Sequence, residues 1–323
     1  MKKHAVQLTL LLMTLMGVLS SVHAQAFPSK PIKVVVGYAP GGAVDAVARS
    51  VGQAMANSIG QPVVVDNKPG AGTNIAVKSV ISAEPDGYTL LMAANALSAN
   101  MALYQPKPFD AEKELVAVSM VGRVPVVIAA NSSASYSNVK QLIEAAKNKP
   151  NSIAYGSPGN GSTPHMAIEL FAHAAGIDRK STRLNSSHLV LTDVIGGQLP
   201  LIAVNAMEVL PHVKSGKLKV LGVLSPKRSP IFPDAPTISE SGFPGFEASV
   251  WYGLVAPAAT PKVVVQKLHD ETQKALQSNE VRDRMTQVGG EVVPGSSEMF
   301  AALIHSEYLR YAKLVKEANI KPD

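Results

Sequence analysis

Short runs of β-branched and apolar residues alternate along the chain with stretches of helical spacing, joined by turns rich in glycine. The strand candidates are Ile32 to Gly37, Val63 to Asp66, Tyr88 to Ala93, Val116 to Val121, Val126 to Ala130, Ile153 to Gly156, Leu201 to Val204, Lys219 to Leu224 and Ser249 to Val255. Between the first two, Val44, Val47, Ala48, Val51 and Met55 recur on one face at helical spacing. Strand, helix, strand at this interval predicts an α/β architecture with mostly parallel sheets flanked by helices. Helices are expected at Pro261 to Gln277, Glu280 to Val288 and Ser297 to Ala318, the last burying Phe300, Leu303, Ile304 and Tyr311. The Pro-rich stretch from Pro226 to Pro244 carries turn signals and is expected to wrap a surface or approach a domain crossover.

Three turns combine glycine with the start of a helix: Gly37 to Asp45 (GYAPGGAVD), Asn67 to Asn74 (NKPGAGTN) and Tyr155 to His165 (YGSPGNGSTPH). Glycine lets the backbone turn sharply, and the helix that follows offers unpaired N–H groups and a positive dipole end. A carboxylate or phosphate is the natural occupant of such a turn. In the third, Ser162 or Thr163 suits the N-cap and Pro164 the first helical position, although the hydroxyls could instead address a ligand. Each turn alone also reads as an ordinary connection, and two facing one cleft would be harder to dismiss.

Other chemistries find little support. With no cysteine in 323 residues, thiolate catalysis, iron–sulfur clusters, Cys-ligated zinc and a disulfide framework are excluded. The Gly70-x-Gly72 pair lacks the third glycine and downstream acid of a dinucleotide fingerprint, and no G-x-x-x-x-G-K-[ST], G-x-S-x-G or H-E-x-x-H occurs. His165 and Glu169 share a helical face but two groups do not make a metal site, so no metal and no cofactor are expected. His173, His212, His269 and His305 read as surface or packing residues, Asp45 as a partner of its helix dipole, and Trp251 as core or an aromatic wall for a ligand.

Lys2 and Lys3, an apolar stretch from Ala5 to about Leu19 and the A-x-A at Ala24-Gln25-Ala26 have the layout of a secretory signal peptide, residues 1–26. No later run of some 18 apolar residues follows, so the mature chain is expected outside the cytoplasm and soluble. The formal charge of +6, 30 basic against 24 acidic residues, shrinks to +4 without Lys2 and Lys3. Setting aside Arg179, Lys180 and Arg183 leaves +1, which removes the case for a nucleic-acid partner.

Phe27-Pro28-Ser29-Lys30-Pro31-Ile32, the loop Pro40-Gly41-Gly42-x-x-Asp45, Asn67-Lys68-Pro69-Gly70-Ala71-Gly72, Pro85-Asp86-Gly87-Tyr88-Thr89-Leu90 and the Gly159-Asn160-Gly161-Ser162 turn occur in order. So do Leu210-Pro211-His212, Lys227-Arg228-Ser229-Pro230, Pro233-Asp234-Ala235-Pro236-Thr237 and Trp251-Tyr252-Gly253-Leu254-Val255-Ala256-Pro257. In these motifs the chain resembles the Bug family, solute-binding receptors associated with tripartite tricarboxylate transporters. The resemblance implies a two-lobed periplasmic binding protein of type II, a Venus flytrap closing on a small organic acid. It places lobe I at 27–125 and 251–323 and lobe II at 126–250. The ligand contacts it implies are Tyr38, Ala39, Gly41, Gly42 and Asp45, with Ala94, Asn95 and Ala96, in one lobe, and Gly156, Ser157, Asn160, Ser162, Thr163, His165 and Asn205 in the other. It also implies membrane transporter subunits as partners, a monomer, and no catalysis. The competing readings are a secreted hydrolase using Ser162 and His165, which would gain from a buried acid turned toward His165, and a receptor serving a sensory partner.

Two departures stand out. From Arg179 to Leu189 the chain reads RKSTRLNSSHL where the family has a strand and pocket loop. The tract resembles read-through of a sequencing adapter in place of native residues, the alternative being a surface insertion. The family often has an Asp before the residue matching Asn205, and here Val204 stands there, which implies a simple acid over an amino acid.

Overall fold

The computed structural model describes residues 27–150, 152–158, 161–177, 180–181 and 187–321, with backbone alone for 180–181 and 187–189. Residues 1–26, expected to be a signal peptide, together with Asn160 and most of the RKSTRLNSSHL tract, lie outside the described residues.

The first unit is a parallel three-strand core. Strand β1 (Ile32–Val36) lies between β2 (Val63–Asn67) and β3 (Thr89–Ala94), in register Ile32↔Val63 and Lys33↔Thr89. Helix α1 (Ala43–Ile59) buries Val44, Val47, Ala48, Val51 and Met55, the face read from the spacing, and ends where Gly60 adopts φ +68°. A single 3₁₀ turn at Ala71–Thr73 leads into α2 (Asn74–Ile81), and β3 runs into α3 (Ala96–Leu103), a helix with all its residues buried. A short turn of helix, α4 (Ala111–Glu114), precedes the central strand.

Strand β4 (Leu115–Asn131) is one continuous strand where two were expected. Over Leu115 to Pro125 it pairs with β9 (Ser249–Pro257), and from Val126 onward with β7 (Leu201–Asn205) and β8 (Leu218–Val223), all antiparallel. Register shifts at Ala117/Ser119, Met120/Gly122 and Ile128/Ala129 let it bend between the two sheets. Its 17 residues of small and β-branched side chains, nearly all buried, belong to both sheets at once.

The second unit repeats the parallel theme with α5 (Val139–Asn148), β5 (Ala154–Gly156), α6 (Thr163–Ala175), β6 (Lys180–Ser181), α7 (Ser187–Ile195) and α8 (Ala206–Lys214). Strand β5 pairs in parallel with β7 and with β6, in register Ala154↔Lys180. The tract expected to lack its strand therefore places a two-residue one at the edge of the sheet. The chain closes with α9 (Lys262–Gln277), α10 (Asn279–Gln287), β10 (Glu291–Val292) and α11 (Ser297–Glu317), close to the expected bounds, and β10 pairs with β4.

Strand order is β2-β1-β3-β9-β4-β7-β5-β6, with β8 and β10 also on β4. The sheet is mixed. Each outer half is parallel as expected, and every antiparallel pair involves β4 or β9, because strands that run from one lobe to the other must meet their neighbours head to tail. An apolar seam joins the two units where Met166 of α6 packs with Ala99, Ala102 and Leu103 of α3 and with Tyr311 and Leu314 of α11. Trp251 is core, 2% exposed and edge-on to Phe300 at 5.3 Å. No helix among the described residues is long and apolar enough to cross a membrane.

Candidate functional site

The loops after β1, β3, β5 and β7 gather where the two units meet. After β1, a Cβ on Gly37 would stand 2.8 Å from Thr73, so the first and second glycine turns lie against each other and glycine alone fits. Gly41 adopts φ +86°, and Gly42 is the extended N-cap of α1 with no side chain to cap it.

Asp45 holds this turn from below. Its Oδ2 accepts the Gly41 N–H at 2.9 Å and the Arg49 Nε–H at 3.1 Å, while Oδ1 accepts from Asn67 Nδ2 at 2.9 Å. Asn67 also donates to the Tyr38 carbonyl at 3.0 Å and accepts from Arg49 at 2.9 Å. Burial pushes the Asp45 carboxyl up, but these donors outweigh it and hold it below the ordinary range. Asp45, expected as a ligand contact, is spent on the loop, leaving exposed Ala39, Gly41 and Gly42 and the unpaired N–H groups of the helix start to face outward.

Asn95 is committed in the same way. Its amide donates to the Ser249 carbonyl, Glu307 Oε2 and the Tyr311 hydroxyl, and its carbonyl accepts the Trp251 N–H at 2.8 Å. Both N–H donors of this fully buried side chain are taken, so it ties β3 to β9 and α11. Ala94 and Ala96, its neighbours, are buried, and they offer backbone alone.

The third turn differs. Ser162 caps α6, accepting from the His165 N–H at 3.4 Å, with Pro164 in the first turn. His165 Nδ1 accepts the Gly161 N–H at 3.2 Å, and Nε2 lies 3.9 Å from Glu169 Oε1. A buried acid does face His165, as the hydrolase reading asks, yet Nδ1 is taken by the Gly161 N–H and the Ser162 hydroxyl is engaged by the backbone of the helix it caps. Glu169 is further held by the Tyr155 hydroxyl. Thr163 is buried in the first turn, and Gly156 sits so close to Val190 that a Cβ would meet it at 2.2 Å. Ser157, fully buried, has a hydroxyl with no hydrogen-bond partner among the described residues.

Across the joint, Asn205 ends β7 and donates to Glu208 at 2.8 Å, which leaves its Oδ1 buried and without a partner among the described residues. Glu208 is within electrostatic reach of Tyr252, and Tyr252 of Tyr38. Burial pushes both phenols up, with Tyr38 and Glu208 adding to the effect on Tyr252, so both stay protonated and can donate. The Tyr252 hydroxyl is buried and also lacks a partner among the described residues. Asn100 on α3 bridges the turns: it donates to the Gly72 carbonyl at 2.6 Å and to Asn74 at 2.7 Å, and its Oδ1 would stand 2.8 Å from a Cβ on Gly161.

Tyr252, Glu208, Asn100 and Asn67 were absent from the residues expected at the site. A groove of about 590 Å³ between the ends of α5, α6 and α11, lined by Lys147, His173 and Glu317 among others, touches none of the expected residues. The glycine turns are closed upon each other, and among the described residues no cluster of acids and histidines could hold a metal.

A mixed α/β fold of two sheets sharing crossover strands, with polar loops meeting at the joint, defines the class of two-lobed periplasmic binding proteins. The family described as "tripartite tricarboxylate transporter family receptor" matches residues 47–320, and the chain belongs to it, among the Bug-type receptors. A UPF0065 protein of Bordetella bronchiseptica is 36% identical over 97% of this chain and 94% of its own length. The structure of the periplasmic binding protein BugD aligns with TM-score 0.81 at 32% identity, covering 92% of this chain and 100% of BugD. An R. palustris protein solved with adipate aligns at 0.83 and 29% identity with the same coverage. MatC from Rhodopseudomonas palustris, with bound malate, aligns at 0.80 and 28%, covering 90% of this chain and all of MatC.

Proposed function

We propose that the chain is a periplasmic receptor that binds a small organic carboxylate between its lobes and presents it to a tripartite transporter, without catalysis. The observation that carries this reading is the set of buried polar atoms at the joint without partners among the described residues: the Ser157 and Tyr252 hydroxyls and Asn205 Oδ1. A buried polar group left unsatisfied costs about 1–3 kcal/mol, and a ligand is the economical way to satisfy several at once. The two hydroxyls donate to a carboxylate, and the exposed first turn adds backbone N–H groups at a helix start. The adipate and malate held by the two aligned proteins are of this class.

Asn205 Oδ1 asks for a donor, and Glu208 stands beside it. The acid that Val204 does not supply thus comes from four residues further on, and the reading of a simple acid gives way to a carboxylate bearing a hydroxyl or amino group. In this reading, lobe II runs from 126 to 250, supported by the change of partners along β4, although the pairing of Ser249 with Pro125 carries the second boundary two residues earlier. The N-terminal 26 residues direct export, the receptor is a monomer, and it takes neither a cofactor nor nucleic acid.

A thermal-shift screen of small carboxylic acids tests this. The cognate acid at about a hundred times its Kd adds some 2.7 kcal/mol of stability. Hydroxy and amino acids should exceed their plain counterparts. The reading fails if no acid shifts the transition while amines or neutral sugars do, or if an ester or amide substrate is turned over.

A further inference from the structure

A second cavity, of about 120 Å³, lies beside β4 where the end of β8, the start of β9 and the approach to β10 come together. In the sheet order the site loops follow β1 and β3, reached from β4 through β9, and β5 and β7; β8 and β10 pair with β4 independently of that path. The cavity walls are Arg123 and Pro125 of β4, Ser225 to Pro230 after β8, Ser249 at the start of β9, and Gly289 to Glu291 leading into β10.

Two serines line it. Ser229 is 1% exposed and Ser249 is 7%, and neither hydroxyl has a hydrogen-bond partner among the described residues. Both are cut off from bulk water, so a molecule held in the cavity is what remains to satisfy them. The charged groups on the walls are mainly basic. Arg123 donates to Glu247 at 2.6 Å and Arg228 grips Glu240 at 3.0 Å, while exposed Lys227 has no carboxylate partner among the described residues. Glu291 is the acid on the rim. The space suits a molecule the size of a few waters, each about 30 Å³ in the liquid. The glycines keep it open only in part: a Cβ on Gly290 would lie 2.4 Å from the Arg123 carbonyl, which fixes this loop against β4.

We infer that this cavity is a second ligand site, built for a small tetrahedral oxyanion such as phosphate or sulfate, held by Lys227, the Arg123 guanidinium and the Ser229 and Ser249 hydroxyls. None of its lining residues is among those placed at the carboxylate cleft, and the proposal stands whether or not the function proposed above is right.

The test is a thermal-shift titration of the full chain with inorganic phosphate, repeated with sulfate, against sodium chloride at equal ionic strength. The transition temperature should rise saturably with phosphate or sulfate and stay flat with chloride. Ser229→Ala should remove that rise while melting, without anion, at or above the parent temperature, since no hydrogen bond is lost. Lys227→Gln, at an exposed position, should weaken the response at least several-fold and serves where Ser229→Ala does not fold. Gly42→Val, at the carboxylate cleft, should keep the oxyanion response in full. A response equal in chloride, retained in the two pocket variants, or lost in Gly42→Val overturns the proposal.

Discussion

The first and third glycine turns have similar sequences and opposite economies. In the first, Asp45, Asn67 and Arg49 bond to one another and to the loop, so that beyond the Tyr38 phenol the turn presents its backbone. In the third, the capping bond of Ser162 and the ring of His165 hold the backbone, and Ser157 is left over. A turn can therefore bind through its main chain only when side chains are sacrificed to fix it. It can bind through a side chain only when the main chain is fixed by something else.

The sharpest way to break this comparison is Gly42→Val. Gly42 has φ −74°, and a Cβ there meets only the Ala39 carbonyl at 3.7 Å, so the backbone accepts valine while its branches crowd the face the turn presents. The whole carboxylate response, some 2.7 kcal/mol at a hundred times Kd, should vanish, at a cost to the free protein of no more than about 1 kcal/mol for a poorer N-cap. Unchanged affinity by calorimetry would remove the first turn from the site.

Asp45→Ala should come next. The Gly41 N–H and Asn67 lose a buried acceptor, which costs about 1–3 kcal/mol in urea unfolding, and carboxylate affinity should fall because the loop is no longer fixed. A variant that keeps parental stability and affinity would show that the clamp is ornamental.

Ser157→Ala is expected to do the reverse. With no bond to lose, the free protein should be as stable as the parent or more so, whereas binding should weaken by about 0.5–1.5 kcal/mol, up to roughly tenfold. A loss of stability in the free protein would mean that the hydroxyl already has a partner.

The smallest effect is one of pH. Asp45 is held below its ordinary value of 3.8, so its contribution to the first turn is complete above that pH and fades as pH falls through the lower native value. Hydrogen exchange in acid should show protection at residues 39–44 falling ahead of 161–166. Equal loss in both turns would count against the clamp.

What the sequence made legible follows from locality. The α1 face, the Ser162 cap and the strand ends are set by residues a few positions apart, and periodicity and turn chemistry report them. Asn95 and Asp45 sit at the joint, but how fully their side chains are engaged is not readable locally, since their partners Trp251, Glu307 and Asn67 lie far along the chain. Tyr252 is hidden in the apolar run WYGLV, where nothing local distinguishes a core phenol from one with an unanswered hydroxyl. Asn100 sits in a helix buried on every side, which has no polar face to draw attention to it. The division of β4 into two expected strands had a local cause, Gly122 to Pro125 reading as a break. Pairing on both sides carries the strand through it.

The position of β9 between β3 and β4 bears on the order in which such a chain can fold. A chain is made from its N-terminus onward, so β3 and β4 are both present long before Ser249–Pro257 arrives to join them. Until then two apolar strands hold open edges facing a missing neighbour, a state prone to pairing with other chains. The intervening segment, 132–248, can build its own sheet on the far half of β4 during that wait. Folding is thus expected to end in a late, nonlocal closure, slow by virtue of the long loop it must seal. A chaperone that shields strand edges would act in that interval.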